Sequence, residues 1–78
     1  MITCTITSPS QTTRYSLLRS VSVPGHNGEL QILSGHAEMF VLLQKGRIKL
    51  ASEAKPVERV EIQGGECHVQ NNTVTIIL

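Results

Sequence analysis

The chain has 78 residues, room for one domain that buries roughly 60% of its unfolded surface at most. Seven Lys and Arg against six Asp and Glu leave a formal net charge of +1, and Tyr15 and Phe40 are the only Phe, Tyr or Trp. That removes the cationic footprint and the stacking platform of a nucleic-acid binder. No run approaches the ~20 apolar residues of a membrane-spanning helix, and Met1–Ser10 lacks the basic start and apolar stretch of a signal peptide. The expectation is a cytoplasmic domain with no direct membrane insertion.

Apolar residues recur with period two in short runs, the signature of half-buried strands. Ile2, Cys4 and Ile6 alternate with Thr3, Thr5 and Thr7. Leu17, Val21 and Val23 are expected to share a face, with Arg19 intruding in phase as at a bulge or an edge. Pro24-Gly25-His26-Asn27-Gly28 is expected as a loop, because a proline and two glycines interrupt a ladder. Leu30 and Ile32 resume the alternation.

Met39-Phe40-Val41-Leu42-Leu43 is the one continuous apolar run. As a strand it would be covered on both faces, either both by the domain's own core or one of them by a partner, and the second is favoured because a small sandwich has only one interior. Ile48 and Leu50 alternate with Arg47 and Lys49, then Val60 and Ile62 with Arg59 and Glu61. Cys67 and Val69 follow, then Val74, Ile76 and Leu78. Lys45-Gly46, Gly64-Gly65 and Asn71-Asn72 are expected as two-residue hairpin turns, and Ser52-Glu53-Ala54-Lys55-Pro56 as a polar surface loop. The whole of residues 1–78 is expected to form one all-β unit, a flattened β-sandwich or barrel of about eight to ten short, mostly antiparallel strands.

Little here speaks for catalysis. No phosphate-cradling G-x-x-x-x-G-K-[ST] loop and no G-x-S-x-G elbow is present. His26, His36, His68 and Cys67 lack the paired spacings of a metal site, and the neighbours Cys67 and His68 would point to opposite faces of a strand. No catalytic, cofactor-binding or metal-ligating residue is therefore assigned. Cys4 and Cys67 are too few for a disulfide framework and are expected as small buried thiols.

One stretch is distinctive: Pro24-Gly25-His26-Asn27-Gly28-Glu29-Leu30-Gln31-Ile32-Leu33-Ser34-Gly35-His36-Ala37. It resembles the P-G-x-x-G-E-L-x-I-L-P-G-H-A-P pattern of the N-terminal β-sandwich domain of the epsilon subunit of F-type ATP synthases. It departs at Ser34 and Glu38, where that family usually has proline. Gly64-Gly65-Glu66-Cys67-His68-Val69 and Asn71–Ile76 are similar to the family's closing segments, so the likeness covers essentially the whole chain.

The resemblance implies a non-catalytic rotor-stalk subunit, peripheral to the membrane as part of the synthase. Its partners would be the gamma subunit and the c-ring, and it would support the coupling of ion transport to ATP synthesis and hydrolysis. On the same ground Glu29, Leu30, Gln31 and His36 are expected to meet the c-ring, with Glu29 projecting from a loop toward a ring cation and His36 on the neighbouring rim. Ser8, Met39, Phe40, Val41 and Leu42 are expected to meet the gamma subunit. Family members usually continue into a helical hairpin that can bind ATP; a chain ending at Leu78 is expected to bind no nucleotide or other cofactor, and in isolation to be a monomer or weak homo-oligomer. The alternative is a free-standing small β-sandwich that binds a ligand or a metal, for which the scarce aromatics and scattered histidines offer little.

Overall fold

A computed structural model describes residues 1–78 as nine strands and no helix. They are β1 (Ile2–Thr7), β2 (Thr12–Leu18), β3 (Ser20–Gly25), β4 (Gly28–Leu33), β5 (Met39–Leu43), β6 (Gly46–Ala51), β7 (Glu58–Ile62), β8 (Gly65–Gln70) and β9 (Thr73–Ile77). Strand order is β2-β1-β9-β8-β5-β3-β6-β7, with β4 on the free side of β3, and every pairing but β1–β9 is antiparallel. β5 and β3 share a single bridge, Leu43 to Gly25. The sheet folds over at that bridge into two leaves, β2-β1-β9-β8-β5 and β4-β3-β6-β7. This is the expected all-β sandwich or half-barrel.

The fold-over depends on a bent two-strand ribbon. Leu43 faces Gly65 and Gly46 faces Ile62, so each side spends the same number of residues on the corner and the register passes through unchanged. Lys45-Gly46 and Gly64-Gly65 are thus not hairpin turns, as their composition suggested, but the two sides of a corner where strands change leaf. Glycine is required there for space and for backbone. A Cβ on Gly46 would lie 2.7 Å from Pro24 Cβ, and one on Gly65 would lie 2.5 Å from the Ile77 carbonyl oxygen. Gly64 and Gly65 have φ of 149° and 146°, values that a side chain disfavours. The Asn71-Asn72 pair does make the expected hairpin turn, both residues at positive φ.

Two other expectations change. Pro24–Gly28 is not a loop: Pro24 pairs with Glu29 and Gly25 with Gly28, leaving only His26 and Asn27 as a two-residue turn. Proline is tolerated because the β3–β6 ladder ends at Ser22, before the missing N–H would be needed. Leu17 is not in the core. Ile2 pairs with Leu18 while Cys4 pairs with Tyr15, which inserts one extra residue. At that bulge Leu17 turns outward at φ 57° and Leu18 is buried instead. Arg19, the in-phase charge, is exposed and 3.8 Å from Glu53.

Fifteen apolar residues close the interior, and no polar side chain is buried with them. Cys4 and Cys67 are among them, fully buried. Burial pushes the Cys67 thiol up to about 11; burial, helped by Cys67, pushes that of Cys4 up to about 12.

Gly65→Val should lower the thermal midpoint by several degrees, because the added atoms strike backbone; a Gln63→Val control on the exposed side of the same corner should not. Both thiols stay protonated in the fold past the 9.0 at which free thiols ionise. Unfolding releases that ionisation, so stability is unaffected below pH 9 and falls as pH rises toward 12. Urea midpoints measured from pH 8 to 11 should show a shallower decline in the Cys4→Ala, Cys67→Ala double variant than in the parent chain.

Candidate docking surfaces

The two leaves present different outer faces. On β1, β9, β8 and β5 the outward residues fall into rows set by the register. Thr7, Ile77, Glu66 and Leu42 form one row, and Thr5, Thr75, His68 and Phe40 the next. Phe40 is 54% exposed and Leu42 51%. They stand on β5 between residues turned inward: Met39 and Val41 pack against the core and Leu43 is buried. The apolar run therefore has one core face and one open face.

The Phe40 ring meets His68 edge-on, centroids 4.8 Å apart at 80°, and His68 Nε2 donates to Glu66 Oε1 at 3.3 Å. Ser8 lies beyond the Thr7 end of the first row, in the β1–β2 turn that its N–H and hydroxyl close onto Gln11 O. It is three strands from β5, on the same leaf.

The second leaf is mostly polar outside, with Leu33 at the end of β4 the exposed apolar exception. Glu29 and Gln31 point outward from β4, while Leu30 is half-buried and packs against the core. Glu29 sits in the strand rather than on a loop, and it already holds a cation: Lys49 Nζ is 3.2 Å from its Oε2. Arg47 is similarly held by Glu61, Nη2 to Oε1 at 3.2 Å. His36 is not beside Glu29 but past the far end of β4, beyond a turn in which its N–H donates to Leu33 O at 3.1 Å.

Gly35 has φ 81°, as the third residue of a type II turn requires, and Ser34 occupies the position that proline favours. The Gly35 N–H donates to Asn72 Oδ1 at 2.7 Å, fastening this turn to the β8–β9 turn. The ring nitrogen Nδ1 of His36 donates to Ala37 O at 2.9 Å.

Sequence reasoning therefore grouped residues that the fold separates. Glu29 and His36 mark opposite ends of β4, and Met39, Val41 and Leu30 face the core. It missed Lys49, Glu66 and His68. The strand alternation that put Lys49 outward was visible, but its alignment with Glu29 depends on a pairing across β3. No three His, Cys, Asp or Glu side chains converge where they could hold a metal. A cleft of about 540 Å³ opens between the β3–β4 turn and β5, lined by Gly25, Asn27, Glu29, Leu30, Phe40 and Leu42 among others.

This chain matches, over residues 1–78, the family model described as ATP synthase, Delta/Epsilon chain, beta-sandwich domain. It is 33% identical over 72 residues to an ATP synthase epsilon chain of Granulibacter bethesdensis, covering 92% of this chain and 53% of that protein. It is 34% identical over 79 residues to one of Cyanothece sp., covering 99% and 55%. The chain thus spans about half the length of these relatives. In fold it is similar to a chain of the Euglena gracilis mitochondrial ATP synthase, seen with OSCP, F1 and c-ring (TM-score 0.88, 23% identity, 97% of this chain and 49% of that one). It also resembles a chain of the central stalk and c-ring of the Tetrahymena thermophila enzyme (TM-score 0.80, 21% identity, 97% and 61%). With the family model matching from the first residue to the last, the chain belongs to the delta/epsilon-chain β-sandwich domain family of ATP synthases.

Proposed function

We propose that this chain is a non-catalytic central-stalk subunit of an F-type ATP synthase, a rigid adaptor that docks the gamma subunit to the c-ring. It sits peripheral to the membrane on the cytoplasmic side and breaks no bond itself. The observation that carries this reading is the open face of β5. Phe40 and Leu42 are held in water by a strand whose alternate residues are anchored in the core. Covering the exposed half of each would contribute on the order of 1 kcal/mol per side chain.

Gamma then meets the first leaf through Phe40 and Leu42, and its footprint reaches Ser8 along the Thr7–Ile77–Glu66–Leu42 row. Met39 and Val41 stiffen that surface from behind. The ring meets the polar side at Glu29 and Gln31, with Leu30 as the inward anchor of the same strand. His36, at the far end of β4, borders the ring contact only if that contact runs the length of the strand.

Membership of the family, and relatives named as epsilon chains, support the assignment to the synthase. A footprint of this kind gives register and stiffness, which are what a torque-bearing joint needs.

Binding of purified gamma subunit and c-ring from the same organism tests the reading. Phe40→Asp should weaken gamma binding at least tenfold with an unchanged thermal midpoint, since its side chain is outside the core. Met39→Asp should instead lower the thermal midpoint, since it places a charge against the core. Gamma binding by Phe40→Asp within twofold of the parent chain would sink the assignment of that face.

A further inference from the structure

We infer that Lys49 is a positioning residue for Glu29, fixing its carboxylate on the outer face so that one oxygen stays free for a partner's cation. This rests on the ring contact proposed above.

The geometry comes from three strands. Glu29 on β4 faces Pro24, and Lys49 on β6 faces Ser22, two places back along β3. Neither Ser22 nor Pro24 carries a side chain long enough to separate the charges. Lys49 therefore reaches diagonally over β3 and meets Oε2 at 3.2 Å, and no other charged side chain holds the carboxylate.

Neighbouring charges drive Lys49 in that direction. On its other side the residue directly opposite is Arg59, and like charges facing each other across a pair of strands repel. Glu61, the nearest alternative carboxylate on β7, is occupied by Arg47. Arg59 has no carboxylate within ion-pair distance, so the face carries one surplus cation and no surplus anion to draw Lys49 away.

Two effects of Lys49 on an incoming cation compete. It repels the newcomer, and it removes rotamer freedom from Glu29 before the newcomer arrives. Glutamate is among the side chains that lose most freedom on ordering, whereas two cations on opposite oxygens of one carboxylate are screened by water and salt. Ordering wins, and Lys49 aids the contact rather than obstructing it.

The test is binding of the chain to purified c-ring at low salt, with side-chain NMR of the free chain. Lys49→Met should weaken ring binding about two- to fivefold, the range of a well-oriented exposed pair, and should increase rotamer averaging at Glu29. Lys49→Arg should restore both. In a Glu29→Gln background, Lys49→Met should change nothing further.

Unchanged or tighter binding by Lys49→Met overturns the proposal, and so does an equal loss in the Glu29→Gln background, which would make Lys49 a contact in its own right. The parent reading fails differently. There the unaltered chain does not bind the ring, or Glu29→Gln binds as well as the parent, and the Lys49 proposal falls with it.

Discussion

A sheet of nine strands has two faces, and fifteen apolar side chains can share one interior only if the sheet folds over onto itself. The β5–β6 and β7–β8 corner makes that possible, and the rest of the molecule follows from it. Once the ribbon has bent, β3 can lie along β6 and touch β5 at Leu43, β4 can extend the second leaf, and β9 can close parallel to β1. Gly46 and Gly65 stand where any side chain would collide with Pro24 or the Ile77 carbonyl. Replacing either glycine strains the bend on which the common core depends.

The division of labour between the two outer faces has the same origin. Folding over turns Met39, Val41 and Leu43 inward on one leaf and Leu30 and Ile32 inward on the other, so each strand displays only its alternate residues. β5 is left with Phe40 and Leu42, and β4 with Glu29 and Gln31 followed by an exposed Leu33 at its end. A single bent scaffold thereby offers an apolar patch and a charged edge on different leaves, at fixed separation. That suits a part joining two dissimilar neighbours better than it suits a catalyst, which gathers its reactive groups at one point.

Strand identity was legible in the sequence because period two survives in β1, β6, β8 and β9, where Ile2 begins an alternating buried triplet and Ile48, Cys67 and Val74 each begin an alternating buried pair. Turn identity was not. Glycine and asparagine report a demand for unusual backbone but not its purpose, so Asn71-Asn72 and Gly64-Gly65 read alike although one closes a hairpin and the other bends a ribbon. Leu17 misled because the in-phase Arg19 signals a bulge or an edge but not which neighbouring residue the bulge turns outward. Phe40 and Leu42 could be placed on a strand but not on its open side, since a continuous apolar run has no phase of its own. The Glu29–Lys49 pair joins residues 20 positions apart through an intervening strand, and no local pattern encodes that.

The unbroken register of the bent ribbon has a mechanical consequence. Two antiparallel strands joined at one end by the Ser52–Val57 loop can be separated by unzipping, one ladder bond at a time, or by sliding, which strains many bonds together. A force applied along β5 passes through the corner into β6 along the strand, and reaches β4 only across β3. Such a force would load the hydrogen bonds of both arms together rather than one at a time.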